Sequence, residues 1–229
     1  MKSRQFSHEG EICVKTSKDK ISCQIIGMTL LTPDLLIITD CDNNAVKMVD
    51  TSSQSVSDQL QQDDEPWDIT RLTSTELAVT LPDIQTIQFI SISSNKLIKK
   101  HTMKVGGKCH GISCYQDIWS ITCNRSSIYV SDWGMKTVTR LNWQGDVIGS
   151  YSGMSIPMGM SLSDEGTVFL CDWERNYIKE ISGDCSTGKV VMQNLERPRA
   201  VCWCGKTKKL YYSCLAFNDD NFLQIYKLS

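Results

Sequence analysis

One unit of sequence recurs along this chain at a spacing of about 41 residues, and a recurrence of that length restricts the fold to a repeat architecture. Five segments carry it. Ile26-Gly27-Met28 leads to Leu36–Asp40, and Trp67-Asp68-Ile69 leads to Leu77–Thr80. Trp119-Ser120-Ile121 leads to Ile128–Asp132, Met158-Gly159-Met160 to Val168–Asp172, and Arg199-Ala200-Val201 to Leu210–Ser213. The register holds further on, where Val46, Ile87, Val138 and Ile178 share one position and Val49, Ile90, Leu141 and Ile181 share another. In the last copy the same strand, Leu223–Tyr226, comes three residues late, after an insertion around Asn218-Asp219-Asp220.

Each unit reads as a short strand, a turn, a β-branched or aromatic strand ending in a small polar residue, a polar turn and a third strand. A weaker fourth follows, as in Asp146–Tyr151 after the Gln144-Gly145 turn. Short strands of this kind, four to a unit of about 40 residues, select an all-β propeller.

The phase breaks once. Cys109-His110-Gly111-Ile112-Ser113 opens a unit normally, yet Ile118-Trp119 opens the next one, with His110 and Trp119 nine residues apart. Most of a third unit is therefore missing between Asp117 and Ile118. Three explanations stand: a splice or gene-model product, a five-bladed ring with a looped-in remnant, or a remnant that pairs in some undisclosed way. The expected organisation is an N-terminal tail over 1–9 and one propeller domain over 10–229. Its units lie near 23–62, 63–105, 118–153, 154–195 and 196–229, with the remnant at 106–117. Glu11–Thr16 alternates apolar and polar residues and is expected to supply the outer strand that the last unit lacks.

Composition narrows the function classes. A chain with 41% hydrophobic and 22% charged residues suits a globular fold with a substantial core. Net charge is −2, which offers no global attraction to nucleic acid, and neither DNA nor a membrane is expected as a partner. No apolar run is long enough for a membrane span, and Met1–Ser7 carries Lys2 and Arg4 without the apolar run of a secretory signal. The eleven cysteines form no Cys-x-x-Cys pair. They read as small buried hydrophobes of a reducing, cytoplasmic protein rather than as disulfides or zinc ligands. No cofactor and no metal site is expected.

The units resemble the NHL repeat, in Pro157-Met158-Gly159-Met160, then Phe169-Leu170-Cys171-Asp172, then Arg175-Asn176-Tyr177-Ile178. The first unit carries Ile38-Thr39-Asp40 and Asn43-Asn44-Ala45-Val46. The second departs, with Thr80-Leu81-Pro82-Asp83, and the last has Ser213-Cys214. The resemblance covers about residues 10–229. It implies a six-bladed propeller of the NHL and TolB-like type, here with five complete four-stranded blades and the remnant of a sixth. More narrowly, the chain is similar to the C-terminal propeller of tripartite-motif ubiquitin ligases, especially the expanded sets found in molluscs. RING, B-box and coiled-coil signals are absent from it, so no ligase activity is expected of this chain. The resemblance implies a ubiquitin-pathway adaptor whose propeller rim binds a protein partner, with single-stranded RNA as the alternative ligand.

In such a propeller the residues just before each inner strand and those in each second-to-third-strand turn share one rim. The candidates are Trp67, His110, Trp119, Met158 and Arg199 from the first group. Trp133, Met135, Trp173 and Arg175, with Asp42 and Asn43, come from the second. Trp, Met, Arg and His are residues of interaction hot spots, and Trp and Arg also suit stacking on unpaired bases. The competing reading makes Trp133 and Trp173 cover for blade packing and Trp67 and Trp119 plugs over the core. Asp40, Asp132 and Asp172 end a strand before a tight turn, where an Asx carboxylate accepts backbone N–H bonds, so a structural role is expected of them. Three histidines, no Gly-x-Ser-x-Gly elbow and no Walker-type loop make catalysis, as a metal-dependent propeller lactonase or lyase, the least favoured class, and the chain is expected not to be an enzyme.

Overall fold

The computed structural model describes residues 5–105, 118–124, 126–215 and 221–229, the side chains of 118 and 119 excepted. Within them lie five four-stranded antiparallel sheets. One blade holds β2 (Ile25–Thr32), β3 (Leu35–Asp40), β4 (Ala45–Asp50) and β5 (Ser55–Gln61), and the next β6 (Ile69–Arg71), β7 (Glu76–Leu81), β8 (Thr86–Ser93) and β9 (Lys96–Lys104). Then come β10 (Ile118–Cys123), β11 (Ile128–Asp132), β12 (Thr137–Leu141) and β13 (Val147–Ser152), followed by β14 (Pro157–Leu162), β15 (Val168–Asp172), β16 (Tyr177–Ile181) and β17 (Gly188–Gln193). The last blade runs β18 (Pro198–Cys204), β19 (Lys209–Cys214), β20 (Phe222–Leu228), and its outer strand is β1 (Phe6–Cys13).

The five complete four-stranded blades expected from the repeat are present, the described residues hold no sixth, and the remnant at 106–117 falls outside them. One expectation is corrected. The N-terminal outer strand starts at Phe6, so residues 6–9 belong to a blade and not to a tail. Two contacts fix that start. Phe6 packs edge-on against Phe169 and Trp203, at centroid distances of 6.1 Å each, and Glu9 bridges Lys209 and Lys227 at 2.9 and 3.4 Å.

The chain divides into two compact units. A two-blade unit holds the blades β2–β5 and β6–β9, with the segment after Gly10. A three-blade unit holds β10–β13, β14–β17 and β18–β20, with the N-terminal end of β1.

Within each unit, apolar side chains from facing strands interlock between neighbouring blades. Ile37, Val46 and Met48 pack with Leu77, Val79 and Ile90 in the two-blade unit. Phe169, Cys171 and Ile178 pack with Val201, Leu210 and Tyr212 in the three-blade unit, and Tyr129 and Val138 pack with Leu170 and Ile181. Each such side chain contributes about 1.5–3 kcal/mol through burial.

The recurring pattern of the repeat has a backbone cause. Each of β2, β14 and β18 carries an extra residue against its partner, which disrupts the ladder between Ile25 and Met28, Pro157 and Met160, and Pro198 and Val201. In four blades a hydroxyl residue near the end of the second strand accepts an N–H from the inner-strand side. Thr39 accepts from Gly27 at 2.8 Å, Thr80 from Asp68 at 2.9 Å, Ser131 from Ser120 at 3.0 Å and Ser213 from Ala200 at 3.1 Å. Two of these hydroxyls also donate to the next blade, Thr39 to the Trp67 carbonyl at 2.7 Å and Ser131 to the Met158 carbonyl at 3.0 Å. The glycine follows from the same closeness: a Cβ on Gly27 would lie 2.7 Å from the Trp67 carbonyl oxygen, and one on Gly159 2.7 Å from that of Arg199.

Candidate partner-binding site

In a four-stranded meander the turn between the second and third strands lies at the same end as the connection to the next blade. In the three-blade unit this end comprises the turns 133–136 and 173–176 and the connections 153–156 and 194–197. The aspartates organise it. Asp132 accepts the Met135 N–H at 2.8 Å. Asp172, fully buried, accepts N–H bonds from Ser155 at 2.8 Å, Ile156 at 3.2 Å and Arg175 at 3.3 Å, tying one blade's turn to the connection that enters it. Asn176 continues the join, its carbonyl accepting from Leu195 at 2.9 Å and its side chain from Arg197 at 3.0 Å.

These bonds hold the turns so that large side chains face outward. Trp133 is 47% exposed and Met135 74%. Trp173 is half-buried against the Phe169–Tyr212 cluster, and the Arg197 guanidinium lies 4.8 Å from its ring centroid. The Trp173 Nε1 atom is buried and has no acceptor among the described residues. Arg175 is exposed and donates to the Gly153 carbonyl at 2.9 Å and the Tyr177 hydroxyl at 3.1 Å. Glu174 takes a hydrogen bond from the Ser155 hydroxyl.

Behind Arg175, Lys179 sits over the rings of Tyr151 and Tyr177, at 5.1 and 5.2 Å, and donates to the Tyr151 hydroxyl at 3.0 Å and the Gly153 carbonyl at 3.1 Å. Burial works against its charge, but the hydroxyls of Tyr151 and Tyr177 outweigh burial and raise the ammonium's pKa above the ordinary lysine value. Gly188 leaves the room that the Tyr151 ring fills, since a Cβ there would come within 2.7 Å of it.

The equivalent turn of the β2–β5 blade is held down at Asn43. Asn43 is 9% exposed, and its side chain bonds the segment between β1 and β2, accepting from Lys20 at 3.0 Å and Ile21 at 3.3 Å and donating to the Ser22 carbonyl at 3.3 Å. Asp40 accepts from Gln24 N–H at 2.9 Å, Asn43 at 2.9 Å and Lys47 at 2.6 Å. Lys47 is fully buried and also donates to Asp19 at 2.7 Å and the Val14 carbonyl at 3.0 Å, with the Cys23 sulfur 3.3 Å away.

Asp19, Cys23 and Asp40 are the one metal-ligand-like cluster among the described residues, their ligand atoms within 4.8 Å of one another, and the Lys47 ammonium supplies the positive charge among them. Burial alone would raise the Asp19 carboxyl. Hydrogen bonds from Lys47 and the Thr16 N–H outweigh it and hold the group below the ordinary aspartate range. Burial and the neighbouring Asp40 charge push the Cys23 thiol up to about 12.

The sequence-based candidates separate accordingly. Trp133, Trp173 and Arg175 come together at one end of the three-blade unit, with Met135. Arg199 is half-buried on β18 there. Met158 is a correction: it is 5% exposed and packs with Phe169, Cys171 and Leu195, so it is core and not rim. Trp67 is half-buried, and its backbone carbonyl takes the Thr39 hydroxyl. His110 and the side chain of Trp119 lie outside the described residues. Arg197 was not among the candidates, although its place just before the inner-strand Pro198 marks it as a connection residue facing the same end.

No family model matches the chain, and no curated protein matches it. Solved structures do. The glutaminyl cyclase of Myxococcus xanthus is 11% identical with a TM-score of 0.65, over 99% of this chain and 97% of that one. A protein of unknown function from Bacteroides thetaiotaomicron is 10% identical with a TM-score of 0.68, over 99% of this chain and 76% of that one. A catalytically inactive virginiamycin B lyase from Staphylococcus aureus is 13% identical with a TM-score of 0.59, over 97% and 89%. These are propeller-type neighbours, and the chain has a β-propeller fold. They also overturn the expectation that the chain is not an enzyme. The same fold carries a cyclase and a lyase, so a low histidine count and the absence of those two motifs do not separate binding modules from catalysts.

Proposed function

We propose that this chain is an NHL-type propeller whose three-blade unit recognises a protein partner through the end formed by turns 133–136 and 173–176. The observation that carries this reading is the exposure of Trp133 and Met135, two large apolar side chains on a turn whose backbone is fixed by Asp132. An exposed aromatic on a rigid turn loses little conformational entropy on binding, and Trp, Met and Arg are enriched where interfaces concentrate their energy. Neighbouring Trp173 and Arg175 widen the surface, and the turn of the β2–β5 blade, with Asn43 bound down, offers no counterpart.

The experiment compares proteins captured by the wild-type chain with those captured by a Trp133→Ala variant. A partner retained by the first and lost by the second is the expected result. An unchanged set of captured proteins rejects the reading.

A second reading, single-stranded RNA, draws on the cation–aromatic pair Arg197–Trp173, the combination on which bases stack. It requires that oligouridylate bind with an affinity falling steeply as salt is added. A flat salt response removes it.

A further inference from the structure

We infer that β13, the outer strand of the β10–β13 blade, is a self-association edge that pairs antiparallel with β13 of a second copy of this chain. The inference is independent of the partner-binding reading, because it uses the outer edge of the blade and not the turn 133–136. Three observations carry it.

The first is charge. The sheets of the described residues end on the outer strands β1, β5, β9, β13 and β17. Four of these carry charge: Glu9 and Glu11 in β1, Asp58 in β5, Lys189 in β17 and four lysines in β9. The strand β13, Val147-Ile148-Gly149-Ser150-Tyr151-Ser152, carries none. Charged side chains are a means by which proteins keep sheet edges from pairing with one another. A second β9 laid along the first would set lysines against lysines, whereas β13 meets its own copy without repulsion.

The second is an open apolar edge. Val147 is 66% exposed and Ile148 45%. The strand pairs with β12, and among the described residues no backbone hydrogen bond leaves its other edge. Packing holds it in place against the neighbouring blade. A Cβ on Gly149 would lie 2.5 Å from the Asp184 carbonyl oxygen, and the Tyr151 ring fills the space at Gly188. A fixed edge of unpaired N–H and C=O groups is a template for one more strand.

The third is self-complementarity. Val147, Ile148 and Tyr151 favour strands, and no proline interrupts them. The adjoining charge, Asp146, is turned back to accept from the Asn142 amide at 2.9 Å, and antiparallel pairing puts its two copies at opposite ends of the ladder. Trp143, 56% exposed in the turn before β13, extends the apolar surface past the strand. Two identical strands paired antiparallel form an isologous contact, which closes at two copies.

Sedimentation velocity of the full chain over a dilution series, with hydrogen exchange read at the same concentrations, tests the pairing. The expected result is a monomer–dimer equilibrium in which the outward-pointing amides of 147–152 gain protection as the dimer forms. Val147→Lys and Ile148→Lys, which place a charge on the edge, should each raise the dimer's Kd at least tenfold. Both positions are exposed, and thermal melts close to that of the wild type show that the variants fold. If either variant unfolds, the exchange pattern of the wild type decides. A chain that stays monomeric throughout overturns the inference and leaves the edge to a strand of another protein. Dimers that form equally well in both variants, or that leave 147–152 unprotected, overturn the assignment to β13. Growth beyond dimers overturns the isologous pairing.

Discussion

The turn after Asp40 and the turn after Asp132 occupy the same place in the repeat and do opposite things. After Asp40, Asn43 is bound down by backbone from the segment between β1 and β2. After Asp132, Trp133 and Met135 stand in solvent. The contrast extends one strand further, to Lys47 and Lys179, which pair with Ile38 and Leu170 in equivalent registers. Lys47 is sealed between two carboxylates, a carbonyl and a thiol, whereas Lys179 rests on two tyrosine rings with neutral oxygen partners. The repeat therefore fixes backbone positions without fixing their use. In the two-blade unit the polar positions hold the N-terminal segment in place, and in the three-blade unit they hold turns open.

The sharpest way to break this comparison is to remove the two lysines. Lys47→Met strands Asp19 and Asp40 as buried carboxylates without a cation, and a loss of about 3–5 kcal/mol is expected. Lys179→Met removes neutral hydrogen bonds and cation–π contacts, and about 1–2 kcal/mol is expected. Urea unfolding of both variants measures the difference. Equal losses would show that the Lys47 cage is no more than another surface contact.

Next in size is Gly27→Ala. Its Cβ would meet backbone, the Trp67 carbonyl at 2.7 Å, so the two blades must shift, at about 1–3 kcal/mol. An unchanged denaturation midpoint would mean that the blades do not pack this closely.

The pH dependence follows from the same cage. Asp19 has a folded pKa below its unfolded value, so its contribution is present above about pH 3.9 and is lost as pH falls through the folded value. Cys23 has a folded pKa pushed up to about 12. The unfolded thiol ionises near 8.5, so stability is fully present below about pH 8.5 and declines as pH rises toward about 12. Cys23→Ala should flatten that alkaline decline, read as urea midpoints against pH. A decline of undiminished slope assigns it to other groups.

The smallest expected effect on stability is the most telling for function. Trp133→Ala removes an exposed side chain and should stay within about 0.5 kcal/mol of the wild type. A larger loss would make Trp133 a packing residue of the blade.

Much of this was written in the periodicity. Apolar residues at fixed offsets must share a face, so the blades and the positions of Trp133, Trp173 and Arg175 after a strand-ending Asp could be read directly. Met158 misled because the extra residue in β14 interrupts the alternation between Pro157 and Met160, so a column of aligned residues does not share one direction. The covering of Asn43 left no local signal, since Lys20 and Ile21 reach it from an irregular segment without periodicity. Phe6 was missed for a related reason: most of β1 is exposed or half-buried, with one fully buried residue, and alternation there is weak. The Trp173–Arg197 stack joins two connections distant in sequence, and no offset within the repeat announces it.

The most direct test of the contrast between the two turns places a photo-crosslinking residue at Met135 in one variant and at exposed Asp42 in another, and irradiates each in the presence of the proteins that the wild type captures. The account predicts a discrete crosslinked partner from position 135 and none from position 42. Crosslinking at 42 with none at 135 would contradict it.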